Sequence, residues 1–166
     1  MPTHKAVDLH HEGGMRFAAS PSSGHPLAFD DRTSNQGGSP VETILSALGA
    51  CSAMDVISIT TKKRQAVATY DIHVTGSQRD EYPQVFTDID VVHEVTGTNL
   101  SEAAIRRAIE LSATKYCPVN AMISAGATIV HHRYLVHSLG AEPFDASGEV
   151  VATGPYARPD ILEDQR

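Results

Sequence analysis

The chain has 166 residues, 41% of them hydrophobic and 20% charged, which suits one ordinary globular domain with its own core. A net charge of -7 and a pI near 5.6 exclude the basic face that general nucleic-acid binding requires. No run of consecutive apolar residues approaches the length of a membrane span, and the opening MPTHKAVDLHHEGG lacks the apolar core of a signal peptide. The expectation is a cytoplasmic protein without a membrane partner.

Residues 5–11 and 15–20 flank Glu12-Gly13-Gly14 and predict a hairpin, followed by a short strand through Leu27, Ala28 and Phe29. From Asp31 to Ser39 the chain is rich in Gly, Ser and Asn and predicts a loop. Ser39-Pro40-Val41-Glu42 then supplies a capping serine, a proline at the first helical position and a glutamate at the third. A helix from about Pro40 to Thr61 follows, with Val41, Ile44, Leu45, Leu48, Cys51, Val56 and Ile59 at helical spacing. Ala47, Gly49, Ala50 and Ala53 keep it thin enough for another backbone to come close.

Strands are expected at 67–77 and 85–95, then a helix from Ser101 to about Tyr116. Cys117-Pro118 interrupts that helix, and Pro118 opens a short third one closed by Gly126. A last strand spans 127–137, alternating Ile129, His131, Arg133 and Leu135 against Val130, His132, Tyr134 and Val136. Residues 1–138 read as a single domain, and 139–166 as a tail that is mobile or packed on a partner. The order of elements predicts an α+β fold with antiparallel sheets rather than a βαβ alternation.

The two cysteines carry the chemistry. Cys51 sits mid-helix among small residues, and Asp55 lies one turn later on the same face. A carboxylate there either caps a nearby backbone group or orients a partner of the thiol. Cys117 stands at the N-cap of the short helix, where free N–H groups and the helix dipole favour a thiolate. A low-pKa thiol poised near a second thiol is what reversible oxidation requires.

The runs SPVETILSALGACSAMDVISI and LSATKYCPVNAMI, in that order, resemble the OsmC/Ohr family. The stretch between them is similar to the OsmC-like branch of the YhfA type, and the resemblance covers roughly residues 13–138. It implies an intertwined homodimer in which antiparallel sheets wrap around central helices. It also implies a peroxidase: Cys51 attacks a hydroperoxide and becomes a sulfenic acid, Cys117 resolves it as a disulfide, and an external dithiol reduces the disulfide. No cofactor or metal is implied. Peroxidase members place a glutamate directly after the proline that opens the central helix. Here Val41 holds that place, with Glu42 one position on. The family arginine comes from the N-terminal strands and loop, where Arg16 and Arg32 are the candidates.

The alternatives are a non-enzymatic redox sensor and a binder of small apolar ligands on the same fold. The histidine pairs His10-His11 and His131-His132 lie on predicted strands, so each pair points to opposite faces and reads as surface or strand-face residues rather than zinc ligands. Gly37-Gly38 is not followed by the Lys-Ser/Thr of a phosphate loop.

Overall fold

A computed structural model describes residues 4–152. The chain divides into two compact units, Met1–Ile44 and Leu45–Arg166. In the first, β1 (Val7–Gly13), β2 (Arg16–Pro21) and β3 (Leu27–Phe29) form an antiparallel sheet in that order. Gly13 and Gly14 take φ values of 109° and 57°, the left-handed backbone that the hairpin turn needs. The loop after β3 is tied down from within. The buried Asp30 carboxylate accepts the Ser34 hydroxyl at 2.7 Å and the backbone amides of Asp31 at 2.8 Å and Gln36 at 3.1 Å.

Helix α1 (Pro40–Lys62) opens with the expected capping box. Ser39 Oγ accepts the Glu42 amide at 3.1 Å, and Glu42 Oε2 accepts the Ser39 amide at 3.2 Å. It ends with Arg64 at φ 56°; the Gln65 amide donates to the Thr60 carbonyl at 3.0 Å and the Arg64 amide to Thr61 at 2.9 Å. These are the paired bonds of a Schellman motif. By length and composition alone α1 is long and apolar enough to cross a membrane, a test that a core helix also passes. Only 28% of its apolar window is buried within the chain, and Met54 is 74% exposed.

The second unit holds a four-stranded sheet in the order β4 (Ala66–Gln78), β5 (Phe86–Thr98), β6 (Ile129–Leu139), β7 (Phe144–Ala152). β4–β5 are antiparallel, as expected, and β6–β7 are antiparallel too, but β5 and β6 run parallel. The reason is the connection: helix α2 (Glu102–Leu111), a π-helical turn (Ser112–Tyr116) and helix α3 (Pro118–Ser124) carry the chain back before β6 begins. Residues 144–152 of the expected tail form β7, and 153–166 lie outside the described residues.

The sheet buries one face. On β5 this is Ile89, Val91, His93 and Val95; on β6 it is Val130, His132, Tyr134 and Val136. Two apolar clusters lie on it. One gathers Val56, Val95, Leu100, Ile105, Ile109, Val136 and Val150 around α2. The other gathers Leu48, Ile89, Val91, Cys117 and Val130, with Cys51, Ile72, Val74 and Val119 packed at its edge. Gly49 lets α1 approach β4, because a Cβ there would come within 2.9 Å of Val74 Cγ2.

Candidate redox site

The site lies in the second cluster, where α1 faces the joint between the π-helical turn and α3. Pro118 makes that joint. A residue before proline is pushed out of the helical region, and Cys117 sits at φ −73°, ψ 103°. The preceding helix absorbs the interruption by widening its last turn, with the Cys117 amide donating to the Ser112 carbonyl at 3.0 Å. Cys117 then caps α3, its Sγ accepting the Asn120 amide at 3.3 Å.

Cys51 Sγ, Cys117 Sγ and an Asp55 carboxylate oxygen all lie within 4.8 Å of one another. The two thiols are free; Cys51 is half-buried and Cys117 is 3% exposed. Cys51 is therefore the more accessible of the two thiols. Ser112 Oγ lies 3.0 Å from Asp55 Oδ2 and 3.2 Å from Ser52 Oγ, so a buried hydroxyl on the π-helical turn holds the carboxylate. This gives Asp55 the polar partner that a carboxylate on an apolar helix needs. Two thiols and one carboxylate could share a cation, but they fall short of the four ligands of a closed zinc site.

The expectation of a low-pKa thiol at Cys117 is corrected. Burial pushes the Cys117 thiol up to about 12, and its hydrogen bond with Cys51 adds to the rise. The Asn120 amide pulls the other way and is outweighed. An N-cap position lowers a thiol pKa only where solvent or cations can also support the charge.

The other sequence candidates have different partners. Glu42 is engaged in the capping box. In the first unit the Arg16 guanidinium donates to Glu12 Oε2 at 3.0 Å and to Gln36 Oε1. A 370 Å³ pocket lined by Asp55, Ser58, Ile59, Lys62, Lys63, Leu111 and Tyr116 opens beside the site.

Sequence reasoning missed a polar row that reaches Cys117 from the sheet. The Tyr70 hydroxyl lies 2.6 Å from His93 Nδ1, and His93 Nε2 lies 3.0 Å from His132 Nδ1. His132 Nε2 lies 3.0 Å from Asn120 Oδ1, and Asn120 Nδ2 donates to the Ala113 carbonyl at 2.8 Å. His132 is thus not a surface residue; both imidazoles are fully buried. They occupy the seam between the two apolar clusters. The alternation on β6 was the available signal, since it puts His132 on one face with Val130, Tyr134 and Val136.

A family model described as OsmC-like protein matches residues 33–132. Protein YhfA of Escherichia coli K12 is 41% identical over 118 residues, covering 71% of this chain and 88% of YhfA. The chain belongs to the OsmC/Ohr family. Its fold agrees. A hypothetical protein from Aquifex aeolicus superposes with a TM-score of 0.76 at 27% identity, covering 84% of this chain and 100% of that one. A Legionella pneumophila structure titled an organic hydroperoxide resistance protein OsmC, predicted redox protein, superposes with a TM-score of 0.60 at 15% identity, covering 82% and 98%. The α+β architecture of the OsmC/Ohr fold is therefore present here, and both cysteine motifs fall within the matched residues.

Proposed function

We propose that this OsmC/Ohr member is a thiol peroxidase acting on organic hydroperoxides or hydrogen peroxide. The observation that carries this reading is the pair of free thiols within 4.8 Å, the outer one half-buried and the inner one sealed. The Cys51 thiolate attacks the terminal peroxide oxygen, the O–O bond breaks, and the departing alkoxide takes up a proton to leave as alcohol. Cys51 is then a sulfenic acid. Cys117 sulfur attacks the Cys51 sulfur, the S–O bond breaks, and hydroxide leaves as water with the Cys117 proton. A dithiol from outside returns the disulfide to two thiols. The apolar cluster around Cys51 favours hydroperoxides with hydrocarbon tails.

The apolar residues that α1 leaves uncovered, Met54 and Ile57 among them, support a homodimer with a second copy. The dithiol requirement supports a cytoplasmic location. A second reading, a redox sensor that closes the same disulfide without turnover, is favoured by two features. Val41 stands at the family glutamate place, and the Arg16 guanidinium is committed to Glu12 and Gln36.

The test is peroxide consumption by the purified protein with dithiothreitol, using cumene hydroperoxide and hydrogen peroxide in parallel. Cys51→Ser is expected to lower the rate by at least ~1,000-fold. Disulfide closure without turnover replaces the peroxidase by the sensor. Retained turnover in Cys51→Ser rules out the assignment of the attacking thiol.

A further inference from the structure

The polar row on the sheet is directional, and its direction can be read. Asn120 Nδ2 donates to the Ala113 carbonyl, so Asn120 Oδ1 is the atom facing His132 Nε2 and must accept. A neutral His132 therefore carries its proton on Nε2 and accepts at Nδ1. His93 supplies that bond from Nε2, and its own Nδ1 accepts the Tyr70 hydroxyl. Each ring nitrogen in the row has a partner, and neither ring needs a charge. Burial holds both imidazoles well below the usual histidine range, at about 3 for His93 and about 4 for His132. Burial likewise pushes the Tyr70 hydroxyl up, which keeps it a donor.

The row ends on both sides of Cys117. Asn120 donates its backbone amide to Cys117 Sγ, and its side chain reaches back to Ala113 in the π-helical turn. One residue thus ties the segment before Cys117 to the first turn after it. His132 fixes that residue to the central strand β6. The sulfurs lie within 4.8 Å and are unbonded, whereas a disulfide holds them at about 2.05 Å, so closure requires the two to approach.

We propose that Asn120 and His132, backed by His93 and Tyr70, are positioning residues that hold Cys117 for attack on oxidised Cys51. The proposal rests on the disulfide chemistry described above. In that step the Cys117–Cys51 S–S bond forms as the S–O bond of the Cys51 sulfenic acid breaks, and water leaves with the Cys117 proton. The clamp acts on this step alone. It touches Cys117 and leaves Cys51, which takes the oxidant, without a bond to the row.

The experiment separates the two steps in single turnovers. Sulfenic acid at Cys51 is trapped with dimedone, and the Cys51–Cys117 disulfide is followed by mass spectrometry of quenched samples. Asn120→Ala and His132→Phe are expected to slow disulfide closure at least tenfold, with Cys51 oxidation within twofold of wild type. Tyr70→Phe removes only the far end of the row and is expected to slow closure by less than Asn120→Ala. Asn120→Ser keeps a small polar group that cannot span Ala113 and His132; it gives the same answer if the alanine variant does not fold. Closure at the wild-type rate in a folded Asn120 variant overturns the proposal, and so does an equal fall in both steps.

A parallel series uses diamide, which adds to the Cys51 thiolate and is then displaced by Cys117, leaving as the reduced hydrazine. If peroxide does not oxidise Cys51 but diamide still closes the disulfide, the peroxidase reading falls. The clamp is then judged on the diamide rates.

Discussion

His93 and His132 meet with their rings stacked, centroids 5.3 Å apart, and both are sealed from solvent at the seam between two apolar clusters. Two imidazoles in such a place are tolerated because each nitrogen has a partner, and they make the fold sensitive to acid. Desolvation is the main cause of both depressed pKa values; like charge from His132 adds to the depression of His93, and from His131 to that of His132.

The sign follows from the uptake of protons. Below about pH 6.5 the histidines of an unfolded chain bind protons. In the folded chain they do so only near pH 4 for His132 and pH 3 for His93. The unfolded state therefore gains protons as pH falls, and stability is lost from about pH 6.5 downward until the folded values are reached. Each ring contributes a slope of up to about 1.4 kcal/mol per pH unit in that window. Urea unfolding at pH 7, 6 and 5 is expected to show a smaller slope in His132→Phe than in the native chain, by about that amount per unit. Equal slopes would contradict the assignment of His132 as a buried neutral group.

Glu42 serves the start of α1 through its bond to the Ser39 amide. Glu42→Gln preserves a capping box and is expected to leave both stability and peroxide turnover within error of the native chain. Glu42→Ala is expected to lower stability by about 1 kcal/mol, a cap-sized loss, with turnover per folded molecule unchanged. A loss of turnover in Glu42→Gln would return this residue to the catalytic machinery.

Ser112 holds Asp55 and Ser52 at once from the π-helical turn. Ser112→Ala leaves the Asp55 carboxylate without that donor beside two sulfurs. Thermal and urea unfolding are expected to show a loss of about 1 kcal/mol, the net worth of a hydrogen bond to a half-buried carboxylate. A neutral effect would mean that Asp55 turns to solvent instead.

Gly97 pairs with Val67 on β4, and a Cβ there would collide with the Ala66 carbonyl oxygen. The obstacle is backbone, so relief requires moving a strand. Gly97→Ala is expected to lose at least about 2 kcal/mol, at the upper end of overpacking effects. An unfolding midpoint equal to the native one would show that the β4 edge yields freely.

The capping box, the thin apolar helix and the break at Cys117-Pro118 were legible because each rests on local chemistry within four residues. So was the pairing of the cysteine motifs, through family resemblance. The parallel pairing of β5 with β6 was not, since it depends on how far the crossover carries the chain. The raised pKa of Cys117 was missed for a related reason. Its N-cap position is local and visible, whereas the burial that outweighs it comes from strands and helices distant in sequence. The histidine row needed three strands and α3 in register, and single-strand alternation shows only which side a residue takes. The widened turn at Ser112 has no residue signature beyond the proline six positions on.

The parallel β5–β6 pairing also bears on how the two thiols meet. Cys51 lies on α1 and Cys117 in the crossover between β5 and β6, so their meeting is a long-range contact of the fold. Pairing of this kind closes a long loop before it is rewarded, so it falls late in folding. A chain in which this contact has not formed lacks the native geometry that sets Cys117 beside Cys51. Disulfide closure between these residues is in this way a property of the finished fold.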